Sequence, residues 1–369
     1  MTTRGTTAER QEIAPVRPGE ELDRGALADW LRQELPGLGV QVEGELELAQ
    51  FPNGHANLTY LASFGELRLV VRRPPMGRIA PGAHDMKREH KVLSRLWRLF
   101  DRAPRAYLLC TDHAVLGADF LVSEYRPGVV VWDRWPAALG SAPESGNEHL
   151  GRRVGFATVD ALADLHAVDI ATAGLADLGR PEGYLARQVD GWSRRWELVA
   201  TPELDARMTA LGEELRATLP ESAAPVVLHN DFKIDNCQFT PGRPERVTSV
   251  FDWDMATLGD PLADLGMLLN YWPDPSDVDG ERPLHVPGLE VMGLPTRAEV
   301  AARYAERTGA DLSRIAWYEA FCSWKIAVVC QQLSIRWLRG ESTDPRMAQQ
   351  AANPPRLLRR AEQILRGAS

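Results

Sequence analysis

The stretch "VVLHNDFKIDNCQF", residues 226–239, constrains this chain more than any other. A short apolar run leads into His229, Asp231, Lys233, Asp235 and Asn236, and then an apolar segment resumes. A surface turn needs only one or two polar residues with Gly or Pro, and this segment has neither Gly nor Pro. Asp252 closes the next apolar strand, in "SVFDWDMATLGDPLADLG". An Asp and an Asn on one loop, with a second Asp on the following strand, suit phosphoryl transfer from a metal nucleotide, a chemistry of positioning and charge neutralisation. It needs a carboxylate near the incoming hydroxyl and hard oxygen ligands for Mg²⁺. Asp231 suits the first role, and Asn236 and Asp252 the second.

The rest of the chain reads as an α+β protein of two lobes, which 369 residues can supply with a core each. Residues 1–22 lack the apolar core of a signal peptide and are expected to form a flexible tail. Residues 23–126 read as a small lobe. A helix at 23–35 is followed by "GELELAQF", "LTYLASF" and "LRLVVRR" as antiparallel strands, an inserted helix at about 84–100, and two further strands in "RAYLLCTD" and "DFLVSEY". Residues 127–369 read as a larger, mainly helical lobe. Helical periodicity marks "VGFATVDALADLHAVD", "PEGYLARQVDGWSRRWELV" and "DLSRIAWYEAFCSWKIAVVCQQLSIRWLRG", with "PVVLHN", "NCQF" and "VTSVFDW" as short strands between them.

Taken together, "LHNDFKIDN", "FDWDMATLGDPLADLG", "FPNGHANLTY", "LVVRRPP" and "GLADLGRPEGYLARQVDGW" resemble the aminoglycoside phosphotransferase family of the protein-kinase-like superfamily. The likeness extends over roughly residues 25–340 and is greatest to the branch that includes kinase-like domains fused to acyl-CoA dehydrogenases. It implies a bilobal protein-kinase-like fold, with ATP and Mg²⁺ between a small antiparallel β-sheet lobe and a larger helical one. Asp231 then resembles the catalytic aspartate, Asn236 and Asp252 the magnesium ligands, and His229 a brace under the loop. Lys233 matches a lysine held against the transferred phosphate, with a solvated loop lysine as the alternative. On the third strand, alternation puts Val70 and Arg72 on one face. The resemblance sets Val70 over the adenine and Arg72 against the phosphates, where relatives usually have Lys. Its carboxylate partner is expected to be Glu89, with Asp85 as the alternative. Backbone N–H groups from Gly54 to Asn57 occupy the place of a phosphate loop, although Ala56 stands where the family often has Ser. The backbone of Glu124 and Arg126 is expected to bond the adenine edge, with Ser123 as gate. Asn230 replaces the usual Gly of the catalytic loop, and Asn tolerates unusual backbone angles.

A net charge of −9 argues against a binder that neutralises nucleic-acid phosphates. No apolar run approaches a membrane span, and no obligate protein partner is evident. Cys110, Cys237, Cys322 and Cys330 have neither disulfide nor zinc spacing, which suits a reducing cytoplasm. Asp260-Pro261 reads as a helix start, Asp254 and Asp264 as supporting or solvated groups, and His166 as a packed histidine.

The few residues between Asp252 and Asp260 leave no room for a peptide-binding platform, so the expected acceptor is a small-molecule hydroxyl. It should lie between the catalytic loop and the helices at about 182–198 and 313–339. Arg187, Arg194, Arg195 and Lys325 favour an anionic acceptor, a hydroxy acid or hydroxyacyl thioester. The alternatives are an aminoglycoside-type antibiotic kinase and a non-catalytic nucleotide-binding scaffold.

Overall fold

The computed structural model describes residues 13–52, 57–76, 85–140, 148–277, 284, 287–341 and 345–367. Its first helix, α1 (Arg24–Glu34), starts at Asp23, whose side chain accepts the Ala26 N–H. Apolar residues at alternate positions then build β1 (Leu46–Gln50), β2 (Leu58–Phe64) and β3 (Leu67–Arg73). After α2 (Met86–Leu96) come β4 (Ala106–Cys110), the short α3 (His113–Leu116) and β5 (Phe120–Glu124). The strand order is β1-β2-β3-β5-β4, antiparallel throughout. One face of the sheet, including Tyr60, Phe64, Val71 and Phe120, packs on Leu27 and Leu31 of α1. The opposite face turns Val70 and Arg72 towards the helical lobe. Helix α2 buries Val92, Leu93 and Leu96 in the core of that lobe, and Arg88 Nη1 donates to Ala256 O at 3.1 Å. The inserted helix therefore bridges the lobes.

The flexible tail expected over residues 1–22 needs correction in its second half, while residues 1–12 lie outside the described residues. Ala14 and Gln50 exchange backbone hydrogen bonds of 2.8 Å, which adds a residue of pairing to the edge of β1. The buried Gln50 side chain accepts the Arg17 N–H at 2.8 Å, and Tyr60 Oη donates to Glu20 O at 2.6 Å. Satisfying those buried polar groups pins the segment.

The larger lobe contains β6 (Val129–Val130), α4 (Glu148–His166), α5 (Tyr184–Glu197) and α6 (Asp205–Ala217). The strands β7 (Val226–Leu228), β8 (Cys237–Thr240), β9 (Arg243–Val250) and β10 (Thr257–Gly259) follow. The chain ends in α7 (Pro261–Tyr271), α8 (Arg297–Thr308), α9 (Ile315–Leu338), α10 (Pro345–Gln349) and α11 (Asn353–Leu365). Helix α9 runs through the core and buries Trp317, Phe321, Trp324 and Val328. Each such side chain stabilises the lobe by about 1.5–3 kcal/mol. Gly266 lets α7 come close to α9, because a Cβ there would lie 2.9 Å from the Tyr318 carbonyl. The pairs β7–β10 and β8–β9 carry the polar loop and the second aspartate between them. All four cysteines are buried free thiols, and no described helix is long and apolar enough to cross a membrane.

Candidate active site

The polar loop leaves β7 at Leu228 and is held from below by one carboxylate. Asp264, fully buried on α7, accepts His229 N–H at 2.6 Å and Asn230 N–H at 2.7 Å, one on each oxygen. Burial alone would raise its carboxyl. The hydrogen bond from His166, the nearby histidines and these backbone donors outweigh that and hold it below the ordinary carboxylate value. His229 continues the brace. Its Nδ1 accepts the Asp231 N–H at 3.3 Å while Nε2 donates to Phe251 O at 3.1 Å, an arrangement that requires the neutral ring. Burial lowers its pKa and favours the same form. Asn230 takes φ 67°, the conformation that Gly supplies elsewhere, and its side chain donates to Met255 O and accepts from Tyr184 Oη, both at 2.9 Å.

Above the brace, a short 3₁₀ turn (Ile234–Asn236) brings Asn236 back to Asp231. Asn236 Nδ2 donates to Asp231 O at 2.8 Å and to Asp231 Oδ2 at 3.2 Å, leaving the amide oxygen as the atom available to a cation. Lys233 Nζ lies 3.1 Å from Asp231 Oδ2 and 3.7 Å from Asp235 Oδ2. Burial would lower its pKa, but the two carboxylates hold it well above the ordinary lysine value. The ammonium is thereby held beside the two carboxylates of the loop. The second aspartate also sits in the left-handed region, Asp252 having φ 76°. Asp visits that region more readily than most residues because its short polar side chain bonds locally.

The sheet meets this loop through Arg72. Its guanidinium is a fork, with Nη1 2.9 Å from Glu89 Oε1 and Nη2 bonded to Asp252 Oδ1. Glu89 is thus the carboxylate partner, while Asp85 instead caps α2 by accepting Arg88 N–H at 3.0 Å. Arg73 points away, with Nη1 donating to Leu116 O at 2.7 Å. Burial pushes the Glu89 carboxyl up to about 7 against the pull of Arg72. Asp252 and Asp254 are driven apart. Burial acts on both, but Arg72 holds Asp252 below the usual value, whereas burial and the Asp252 charge push Asp254 up to about 6. Asn57 Nδ2 donates to Asp254 Oδ2 at 3.4 Å, tying the start of β2 to the same strand end.

These groups line one cavity of about 380 Å³ between the lobes. Val70, Asn57, Arg72, Glu89, Asp231 and Asn236 open onto it, as do Lys233, Asp252, Ser123, Glu124 and Arg126. Gly54 lies outside the described residues. The Glu124 N–H is taken by Arg105 O at 2.8 Å. The Arg126 side chain ties the connector down, bonding Asp101 O and lying 3.0 Å from Glu124 Oε2. Phe251, which lines the cavity, was not singled out by the motif, because it reads as one more core residue of an apolar strand. Asp264, expected as a supporting or solvated group, is fully buried and lies four residues after the N-cap Asp260. Asp260 itself caps α7 and accepts Tyr318 Oη at 2.9 Å.

The sequence profile of the phosphotransferase enzyme family (APH) matches residues 47–318. The chain belongs to this phosphotransferase family. It has a bilobal kinase-like fold. Acyl-CoA dehydrogenase family member 11 of Homo sapiens is 31% identical over 344 residues, covering 92% of this chain and 42% of that protein. The chain thus spans less than half of that relative. A candidate aminoglycoside phosphotransferase of Ralstonia eutropha superposes with a TM-score of 0.74 at 27% identity, covering 94% of this chain and 99% of that one. A thermostable aminoglycoside phosphotransferase mutant in ternary complex with ADP and hygromycin B superposes with a TM-score of 0.57 at 15% identity, covering 93% and 99%. That last likeness is one of fold.

Of the four cations weighed for the acceptor, two lie beside one ring. Lys325 of α9 is buried, 5.6 Å from the centroid of the Trp192 ring, and the exposed Arg195 lies 4.3 Å from the same centroid. Arg187 is turned back onto the carbonyls of Arg180 and Glu182, and Arg194 is exposed. On the other side of the catalytic loop a second cavity, of about 340 Å³, opens between α7 and α9.

Proposed function

We propose that this protein transfers the γ-phosphoryl group of ATP to the hydroxyl of a small anionic alcohol, a hydroxy acid or hydroxyacyl thioester, in the reducing cytoplasm. The convergence of Asp231, Lys233, Asn236, Asp252 and Arg72 on one cavity carries the reading. Asp231 accepts the proton of the acceptor hydroxyl as its oxygen bonds to phosphorus and the bond to the ADP oxygen breaks. Lys233 lies beside Asp231 and is suited to balance charge on the moving phosphoryl group. Arg72, kept in place by Glu89, holds the phosphates. Val70 covers the adenine, whose edge meets the Glu124 carbonyl and the Arg126 backbone, and Asn57 lines the same cavity.

Asn236 and Asp252 fit a Mg²⁺ site, because Mg²⁺ is commonly held by one or two protein oxygens with the rest supplied by phosphates and water. When bound, the ion neutralises charge on the phosphates. Lys325 and Arg195 beside Trp192 favour an anionic acceptor over a polycationic aminoglycoside, which would want carboxylates there. The likeness to the acyl-CoA-dehydrogenase-linked relative points the same way.

The test is ADP release with Mg²⁺ and ATP against hydroxy acids, hydroxyacyl-CoAs, amino alcohols and aminoglycosides, with nucleotide binding measured on the same samples. Turnover is expected with the anionic alcohols, and Asp231→Ala should reduce kcat by about a hundred- to ten-thousandfold while nucleotide affinity persists. Metal-dependent nucleotide binding without turnover of any acceptor would favour a scaffold. Turnover of aminoglycosides alone would overturn the acceptor assignment.

A further inference from the structure

We infer that the cavity between α7 and α9 receives a hydrocarbon body of the acceptor, so that the enzyme selects alcohols carrying an aliphatic chain. The inference rests on the phosphotransfer reading above and adds the acceptor's apolar part to it. Lys233 and Asp235 line this cavity and the nucleotide-side cavity alike, so the two spaces meet on the catalytic loop. From there the walls are Leu268 and Tyr271 of α7 and Ile326, Val329 and Leu333 of α9. The α9 residues recur at three- and four-residue intervals, which places them on one helix face.

A space of about 340 Å³ with largely apolar walls and a few polar groups is the size of a ligand site. The Lys233 ammonium stands 5.1 Å from the centroid of the Tyr271 ring. Polar chemistry therefore gives way to hydrocarbon across the width of that ring. A hydroxyl placed at Asp231 can extend its chain past Tyr271 along the α9 face. The far end is polar: Asn353 Nδ2 donates to Gln350 Oε1 at 2.9 Å, and Cys330 Sγ lies 3.4 Å from the same oxygen. That cluster sets a limit on chain length.

The test uses butanol, hexanol and octanol as probes, titrated calorimetrically into the full chain without nucleotide, beside a titration with Mg²⁺ and a non-hydrolysable ATP analogue. Saturable binding is expected to tighten by about fourfold per methylene. Val329→Trp, which fills the cavity, should abolish alcohol binding and leave nucleotide affinity unchanged. Leu333→Ala, a milder change, should shift the preference towards longer chains. In turnover, kcat/KM should climb with the chain length of the hydroxy acid in the wild type and lose that climb in Val329→Trp. Nucleotide binding with alcohol affinity or turnover indifferent to chain length overturns this inference alone. So does undiminished octanol binding by folded Val329→Trp. Loss of metal-dependent nucleotide binding in the wild type, with octanol still bound, would instead remove the phosphotransfer reading on which the inference stands.

Discussion

The two cavities that meet at Lys233 and Asp235 are similar in volume and differ in how many charged groups line them. On the nucleotide side, Arg72, Glu89, Asp231, Asp252 and Asn236 crowd a cleft in which nearly every group is held by a partner from another element. On the α7–α9 side Leu, Ile, Val, Tyr and Trp side chains make most of the wall, with Lys233 and Asp235 at the catalytic loop and Gln350 and Asn353 as the other polar groups. The contrast separates two tasks. Handling phosphate demands fixed charges, which are costly to bury and so must be mutually braced. Choosing an acceptor body demands area and shape, which a helix face supplies without any network. Aliphatic substitutions along the α7–α9 cavity change its shape without removing a partner from the braced charges of the other cavity.

Arg72 is where that contrast can be broken most forcefully. Arg72→Met would leave Glu89 and Asp252 facing each other without a cation, and a broken buried pair costs about 3–5 kcal/mol. A large fall in denaturation midpoint is expected, with loss of nucleotide binding. Arg72→Lys, able to reach only one of the two carboxylates, should lose less than half as much stability. An unchanged midpoint in Arg72→Met would show that the cleft is not the braced network described.

Next in size is Asp264→Asn. It turns an amide against one of the two loop N–H groups, leaving a buried donor unmatched at about 1–3 kcal/mol. Steady-state kinetics should show kcat falling more than KM changes, because the loop carrying Asp231 is displaced while the adenine side is intact. Equal loss in both would argue against a positioning role.

The Glu89 carboxyl supplies a pH-dependent test. Its ordinary value of 4.5 is pushed up to about 7 in the fold, chiefly by burial. The folded protein therefore keeps a proton that the unfolded chain releases, and the stability this group contributes is full below about 4.5 and lost as pH rises through about 7. Glu89→Gln should flatten that part of the midpoint-versus-pH curve. Parallel curves for the two proteins would remove the assignment.

The smallest effect on stability belongs to the acceptor side. Burial lowers the Lys325 pKa, and no described carboxylate is within ion-pair distance of its ammonium. Lys325→Met should therefore change stability by no more than about 1 kcal/mol, or raise it, while KM for an anionic acceptor rises. A large loss of stability would place Lys325 with the braced charges instead.

How far the sequence could be read depended on the length of the signal. The small-lobe strands alternate over five to seven residues, and their pairing and faces follow from that pattern, including the turning of Val70 and Arg72 into the cleft. The two-residue β6 and three-residue β10 are too short to carry a period. Helix α8, which the helical periodicity did not single out, starts at a Thr296–Glu299 capping box formed in both directions. The arm at residues 13–22 was missed because its attachment is four side-chain hydrogen bonds and one backbone bridge, with little apolar pattern to announce it.

The sequence by itself determined the chemical parts: an Asp–Asn–Asp set at fixed spacing, a strand cation, a helix carboxylate to match it, and the lobes that bear them. Those are local features, set by the period of a strand or the length of a loop. Only the tertiary structure decided that Glu89 rather than Asp85 meets Arg72, that Asp264 holds the catalytic loop from a separate helix, and that α9 presents Lys325 to one side and an empty aliphatic face to the other. Each depends on the relative placement of elements far apart in the chain, through packing contacts that leave no spacing or motif in the sequence.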